Sequence, residues 1–328
     1  MEHFPDELIF SIRTSQVFRT SVYFIDFVLI IALVTTVLAT RQLHTRQIFS
    51  ASTNYLLIFD FVAINIHNLS YVFIQNWSLY RSLFQSQNAN DMMFRSEECW
   101  PHHVANEYTK TVTLFVQFAL IINRVSVTVK PSRYSEAKYA VLLISATVIV
   151  SAIFTANEHA RGPFLGKKTT SCFRESDVTV DLHTEHIVPY IVICTITIVC
   201  SLILIAYVKI SQNKKTYDVA SQYMRKESMI STIAVAIIGL IQLAAFSFYD
   251  FLLTVFSYYA EQNPSEQDTN VIGWLYTGPF NAVVSPSAVL FYVLIIKRNR
   301  KKDISLLTKH KVTHSDHFQQ LNVFWNKI

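Results

Sequence analysis

The chain has 328 residues, of which 51% are hydrophobic and 16% charged, and its formal net charge is +5. Soluble domains carry about 25% charged residues, so this balance excludes an ordinary soluble fold. With 24 Phe and 16 Tyr against 5 Gly, a flexible Gly-rich linker protein is excluded as well.

Seven long apolar stretches follow one another, at about 22–40, 55–74, 101–129, 137–156, 187–208, 229–256 and 271–296. Each is long enough for a helix to cross a hydrocarbon core of about 30 Å. Backbone amides find no water in lipid, so such runs are predicted to be helical. The expected fold is therefore an all-α membrane protein, a bundle of seven transmembrane helices. Residues 1–21 form a tail, 22–296 the bundle and 297–328 a second, basic tail. The first run is too long for a cleaved signal peptide and carries Asp26. It reads as a span that also directs insertion.

Orientation is read from Lys and Arg. With the N-terminus outside, the inner segments hold 18 of them and the outer segments 8. The positive-inside rule then favours an outer N-terminus and a cytoplasmic C-terminus, as in a multi-pass plasma-membrane protein. The second tail opens with Lys297-Arg298-Asn299-Arg300-Lys301-Lys302, a juxtamembrane anchor for anionic lipid. The next turns are expected to lie along the membrane interface. Asn76-Trp77-Ser78 is the one glycosylation sequon on the outer side, set against the end of the second span.

Little here suggests an enzyme. The chain has no Gly-rich phosphate loop, serine nucleophile elbow or metalloprotease helix. His183-x-x-His186 lacks a third ligand at convincing spacing, so no metal is expected. No cofactor and no nucleic-acid partner is implied. A ligand-gated channel of inverted topology and a transporter are the alternatives. The Lys/Arg asymmetry argues against the first, and the absence of internal repeats against the second.

Candidate functional residues lie within the spans and at their ends. Cys99, just before span three, and Cys172, between spans four and five, both fall outside, where a disulfide is permitted. Such a bond would pin the outer loop across the bundle mouth. Arg124 lies 25 residues after Cys99, about 37 Å along a helix, so it marks the inner end of span three. There it either snorkels to water or bonds neighbouring helices and releases them when the bundle opens. Ionisable groups inside a membrane are expensive and usually face the bundle interior. Glu107 and Lys110 share a face of span three. With Tyr249 and Asp250 of span six and Trp274, Tyr276 and Asn281 of span seven, they are candidates for lining an outer pocket. Asp60 and His67 share a face of span two as interior polar anchors, and Pro286 is placed to kink span seven.

The two cysteines, the arginine 25 residues inward, Pro131 seven residues beyond it and then Tyr134 resemble the G-protein-coupled receptor pattern. Within that superfamily the chain most resembles the nematode serpentine chemoreceptors of the Sra superfamily. The likeness is carried by Asn123-Arg124, Val127-Thr128, Tyr134-Ser135-Glu136 and the stretch Ser221-Gln222-Tyr223-Met224-Arg225-Lys226-Glu227-Ser228 before span six. It covers all seven spans. Departures are Asn123 in place of the acid that would pair with Arg124, and the absence of the usual proline motifs of spans six and seven. The resemblance implies a chemosensory receptor with a small-molecule ligand and a heterotrimeric G protein as partners. It also implies Asn123, Arg124, Pro131 and Tyr134 as the coupling region, and a place in sensory cilia.

Overall fold

A computed structural model describes residues 10–11, 13–46, 49–85, 89–129, 136–160, 168–169, 172, 180–212, 229–242, 244–245, 247–248, 251–252, 255, 278–309 and 323. The long helices are α1 (Gln16–Arg46), α2 (Ala51–Phe84), α3 (Ser96–Val129), α4 (Ala137–Glu158) and α5 (Val180–Gln212). They are followed by α6, described over Met229–Gln242, and α7 (Gly278–Lys309). One further helical turn, Ala89–Met92, precedes α3.

The helices reach beyond the apolar runs that announce them. The 22 residues of α4 span about 33 Å, close to one hydrocarbon core. The 34 residues of α2 and of α3 span about 51 Å. Helix α2 therefore continues past residue 74 through Trp77 and Arg81, and α3 begins ahead of Pro101. Helix α7 runs unbroken through Pro286 and on through Lys297-Arg298 to Lys309. The basic tail thus starts as a continuation of the last span. Residues 271–277, the expected start of that span, lie outside the described residues.

The helix faces are distributed as lipid requires. On α4, Thr147, Ser151 and Thr155 are buried while Val141, Leu142, Ile149 and Ile153 are exposed. On α1, Phe27, Ile30, Val34 and Val37 form an exposed apolar stripe at helical spacing. Contiguous exposed apolar faces of this extent mark a membrane-facing surface. Helix α2 is the centre of the bundle and packs on α1, α3, α4 and α7, while α1 also packs along α7. The main core gathers Leu56, Phe61, Val116, Leu120, Ile238 and Val293 from α2, α3, α6 and α7.

A smaller core sits at one end. Cys99 and Cys172 form a disulfide with Cα atoms 4.8 Å apart. Both are buried with Ile74 and Phe94, and Trp77 packs against them. Beside it Phe94–Arg95 (β1) pairs antiparallel with Lys168–Thr169 (β2), Phe94 opposite Thr169 and Arg95 opposite Lys168. The segment between α4 and α5 is therefore tied to the start of α3 covalently and by backbone pairing.

Candidate functional site

Helices α2 and α3 run antiparallel and present polar residues to each other at seven-residue steps. Thr53, Asp60 and His67 are the steps on α2; Arg124, Gln117 and Lys110 are the matching steps on α3. Seven residues are close to two turns, about 10.5 Å, so each set keeps to one face. The hydrogen bonds form layers across the pair.

The layer farthest from the disulfide centres on Arg124, whose side chain is 2% exposed. Its Nη1 donates to Ser231 Oγ of α6 at 2.5 Å. Its Nη2 donates to Ser50 Oγ ahead of α2 at 2.9 Å and to Thr53 Oγ1 of α2. Asn123 Nδ2 donates to the same Thr53 hydroxyl at 2.9 Å. A snorkelling arginine would leave its guanidinium in water; this one joins α2, α3 and α6. Nearby, Tyr292 Oη of α7 donates to the Ile230 carbonyl of α6 at 2.7 Å. Burying a cation costs several kcal/mol unless hydrogen bonds replace its water, and the hydroxyls of Ser50, Thr53 and Ser231 contribute to that replacement.

The middle layer is built on Asp60, which is fully buried. Its Oδ2 accepts from Gln117 Nε2 of α3 at 3.1 Å and from Gln242 Nε2 of α6 at 2.6 Å. One turn before Gln242, Gly239 lets α6 close on α3. A Cβ there would stand 3.2 Å from Gln117 Oε1. Asn65 Nδ2 donates to Thr36 Oγ1 of α1 at 2.9 Å, which brings α1 into the same polar interior.

In the third layer His67 Nδ1 lies 3.0 Å from Thr109 Oγ1 and 3.2 Å from the Asn106 carbonyl. Glu107 is within electrostatic range of Lys110, His67, His103 and His159. Both Glu107 and Lys110 are half-buried. One step lower on their face of α3, Leu114 is buried against Phe154 of α4 and Ile193 and Ile198 of α5.

At the disulfide end Arg81 of α2 takes a different set of partners. It pairs with Glu98 at 2.8 Å, donates to the Met93 carbonyl at 2.6 Å and lies over the Phe94 and Trp77 rings at 4.2 and 5.0 Å. His102 packs on Trp77 and Phe73. Ser82 Oγ donates to the Arg13 carbonyl at 2.6 Å, which fastens the segment before α1. Burial, with the like charge of Arg81, pushes the Arg13 guanidinium down to about 10, and it remains a cation at neutral pH.

The sequence-derived candidates divide accordingly. Cys99 and Cys172 are bonded. Arg124, Asn123, Asp60, His67 and Lys110 occupy the ladder, and Glu107 is three residues from Lys110 on the same face of α3. Asn281 is buried on α7 and its Oδ1 accepts from Ser285 at 2.9 Å, one residue before Pro286. Pro131, Tyr134, Tyr249, Asp250, Trp274 and Tyr276 lie outside the described residues. Asn76 is not in a loop. It lies inside α2, its Nδ2 donating to Asp26 Oδ1 at 2.9 Å, and Ser78 of its sequon is buried. A glycan on Nδ2 would displace that bond. The pairing partners Gln117, Gln242, Ser231, Arg81 and Glu98 were not among the expected functional residues. Gln117 carries a signal, since it is seven residues from both Lys110 and Arg124.

The family model of the serpentine type 7TM GPCR chemoreceptor Sra matches residues 6–325. Among curated relatives, serpentine receptor class alpha-33 of Caenorhabditis elegans is 58% identical over all of both chains. Serpentine receptor class alpha-32 of the same species is 34% identical, over 97% of this chain and 95% of its own. Serpentine receptor class alpha-10 of Caenorhabditis briggsae is 27% identical, over 96% and 95%. With a seven-helix membrane architecture and a match along almost its whole length, the chain belongs to the Sra family of serpentine seven-transmembrane chemoreceptors.

Proposed function

We propose that this protein is a plasma-membrane receptor that binds a small chemical cue in the half of the bundle near the disulfide and activates a heterotrimeric G protein at the opposite end. The disulfide end faces outward and the C-terminal tail inward, in line with the Lys/Arg asymmetry and with the oxidising side on which disulfides persist. The observation that carries the reading is Arg124, buried at the cytoplasmic end and bonded to α2 and α6. Those bonds favour the closed bundle. A cue that binds an open bundle more tightly shifts the population, α6 moves off α3, and the guanidinium becomes available to the G protein. Family membership supports a chemosensory cue, the reading extends to placement in the cilia of sensory neurons, and the basic tail serves as an anchor to anionic lipid.

The test is heterologous expression with a G-protein dissociation sensor and a panel of chemical cues. A response that persists at matched surface level in wild type and vanishes in Arg124→Ala supports the reading. Cue-evoked currents that survive G-protein blockade, with no sensor response, would replace it by a channel.

A further inference from the structure

Asp60 carries a carboxyl group into the centre of the bundle with few partners. Two neutral amides serve it, and both donate to the same oxygen, Oδ2. Its Oδ1 is buried with no hydrogen-bond partner, and so is Oε1 of Gln242, whose Nε2 stands 2.6 Å from Asp60 on α6. Two groups in direct contact thus each keep one bare acceptor oxygen. Among the described residues no cation pairs with Asp60. The ionisable groups of the ladder stand a step away: His67 on α2, and Lys110 and Arg124 on either side of Gln117 on α3. Each step is about 10.5 Å, and Glu107 lies farther out on α3. The described residues of α6, Met229–Gln242, include none that titrates. The buried polar residues of α7, Asn281 and Ser285, and of α4, Thr147, Ser151 and Thr155, are neutral. Asp26 of α1 is engaged by Asn76, and Tyr292 of α7 by the Ile230 carbonyl. A lone carboxylate buried among neutral groups is unfavourable, and such a group takes up a proton instead. A proton also supplies the donor that both bare oxygens lack. It takes no volume, in a layer where α6 already closes on Gln117 at Gly239.

We infer that Asp60 is a proton-binding site: in the closed bundle its carboxyl group is neutral, donating through Oδ1 to Gln242 Oε1 while Oδ2 accepts from Gln242 Nε2. This acid–amide pair fastens α2 to α6. Its role in signalling rests on the receptor reading above. Opening withdraws Gln242 with α6, water reaches Asp60, and the carboxyl O–H gives its proton to that water and leaves a carboxylate. The closed form therefore holds one more proton than the open form. Rising pH favours opening, by about tenfold per pH unit wherever the closed form is protonated and the open form is not.

The experiment uses the full chain in nanodiscs. At neutral pH its infrared absorption is expected to contain the C=O stretch of a protonated carboxyl group that is missing in Asp60→Asn, a variant that keeps the shape and can form the same pair of hydrogen bonds. Gln242→Leu should keep that band and move it to higher frequency, because the carbonyl oxygen loses a donor. With added G protein, basal GTPγS binding should rise with pH in wild type and lose that slope in Asp60→Asn. The absence of any Asp60-dependent band overturns the inference, and thermal stabilisation by sodium that is lost in Asp60→Asn would then assign the site to a cation. A band that Gln242→Leu leaves unmoved overturns the pairing with α6, and a pH slope that survives in Asp60→Asn overturns the link to opening. An Asp60 band in a receptor that promotes no GTPγS binding at any pH leaves the proton site standing and overturns the coupling reading instead.

Discussion

Arginines stand near both ends of the α2–α3 pair and are held by contrasting partners. Arg81, at the disulfide end, has a carboxylate, a backbone carbonyl and two aromatic faces around it. These come from α2 itself, from the short segment leading into α3 and from the first turn of α3. Arg124, at the opposite end, is bonded to hydroxyls from two separate pieces of chain: Ser50 and Thr53 at the start of α2, and Ser231 of α6. The first arrangement is local, charge-paired and stapled by a disulfide. The second bridges elements that must move relative to one another if the bundle opens, and its neutral acceptors are weaker than a carboxylate. Under the proposed mechanism, one end holds its shape while the other exchanges partners.

The largest effect should come from the staple. Cys172→Ser removes a bond closing a loop of 73 residues and costs about 2–5 kcal/mol, so surface expression should fall several-fold. Flow cytometry of an N-terminally tagged receptor measures it, and unchanged expression would mean that the pairing of β1 with β2 suffices. Arg81→Ala comes next. Glu98 is 36% exposed and its ion pair is screened, so the loss is mainly stacking on Trp77 and Phe94, about 1–2 kcal/mol. A lower melting temperature with unaltered basal signalling is expected, and altered signalling would blur the distinction between the two ends. Gly239→Ala is the smallest change. Its Cβ displaces Gln117 by a few tenths of an ångström and loosens the Asp60 layer. Basal activity should rise slightly, about twofold, on the scale of a few tenths of a kcal/mol.

Seven spans were legible because a run of about 20 apolar residues has few other uses. The Cys99–Arg124 spacing was legible because a helix converts 25 residues into a membrane crossing. What hydropathy marks, however, is the part of a helix in lipid, and not the point where backbone hydrogen bonding stops. Helix α2 accordingly runs about ten residues past its apolar stretch, and Asn76 falls inside it. The prediction there is that glycosidase treatment leaves the receptor's mobility unchanged, which a gel shift would contradict. The ladder was half legible. Asp60 and His67 were noticed as charged or ionisable groups, while Gln117 and Gln242, uncharged and set in apolar runs, gave no alarm despite their spacing. The two-residue strand pair and the Arg81–Glu98 contact depend on how the segments at the disulfide end return to the bundle, which no local pattern encodes.

The contrast between the two ends is tested most directly at Ser231. Ser231→Ala removes the hydroxyl that ties Arg124 to α6 and hardly changes volume. A hydrogen bond to a charged group contributes about 1.5–3 kcal/mol, so losing it should shift the closed–open ratio by about tenfold or more. Basal GTPγS binding in membranes holding matched amounts of receptor and G protein is the measurement. The account predicts a clear rise in Ser231→Ala that is abolished when Arg124→Ala is added. Basal binding equal to wild type in Ser231→Ala, or a rise that survives the loss of Arg124, would contradict it.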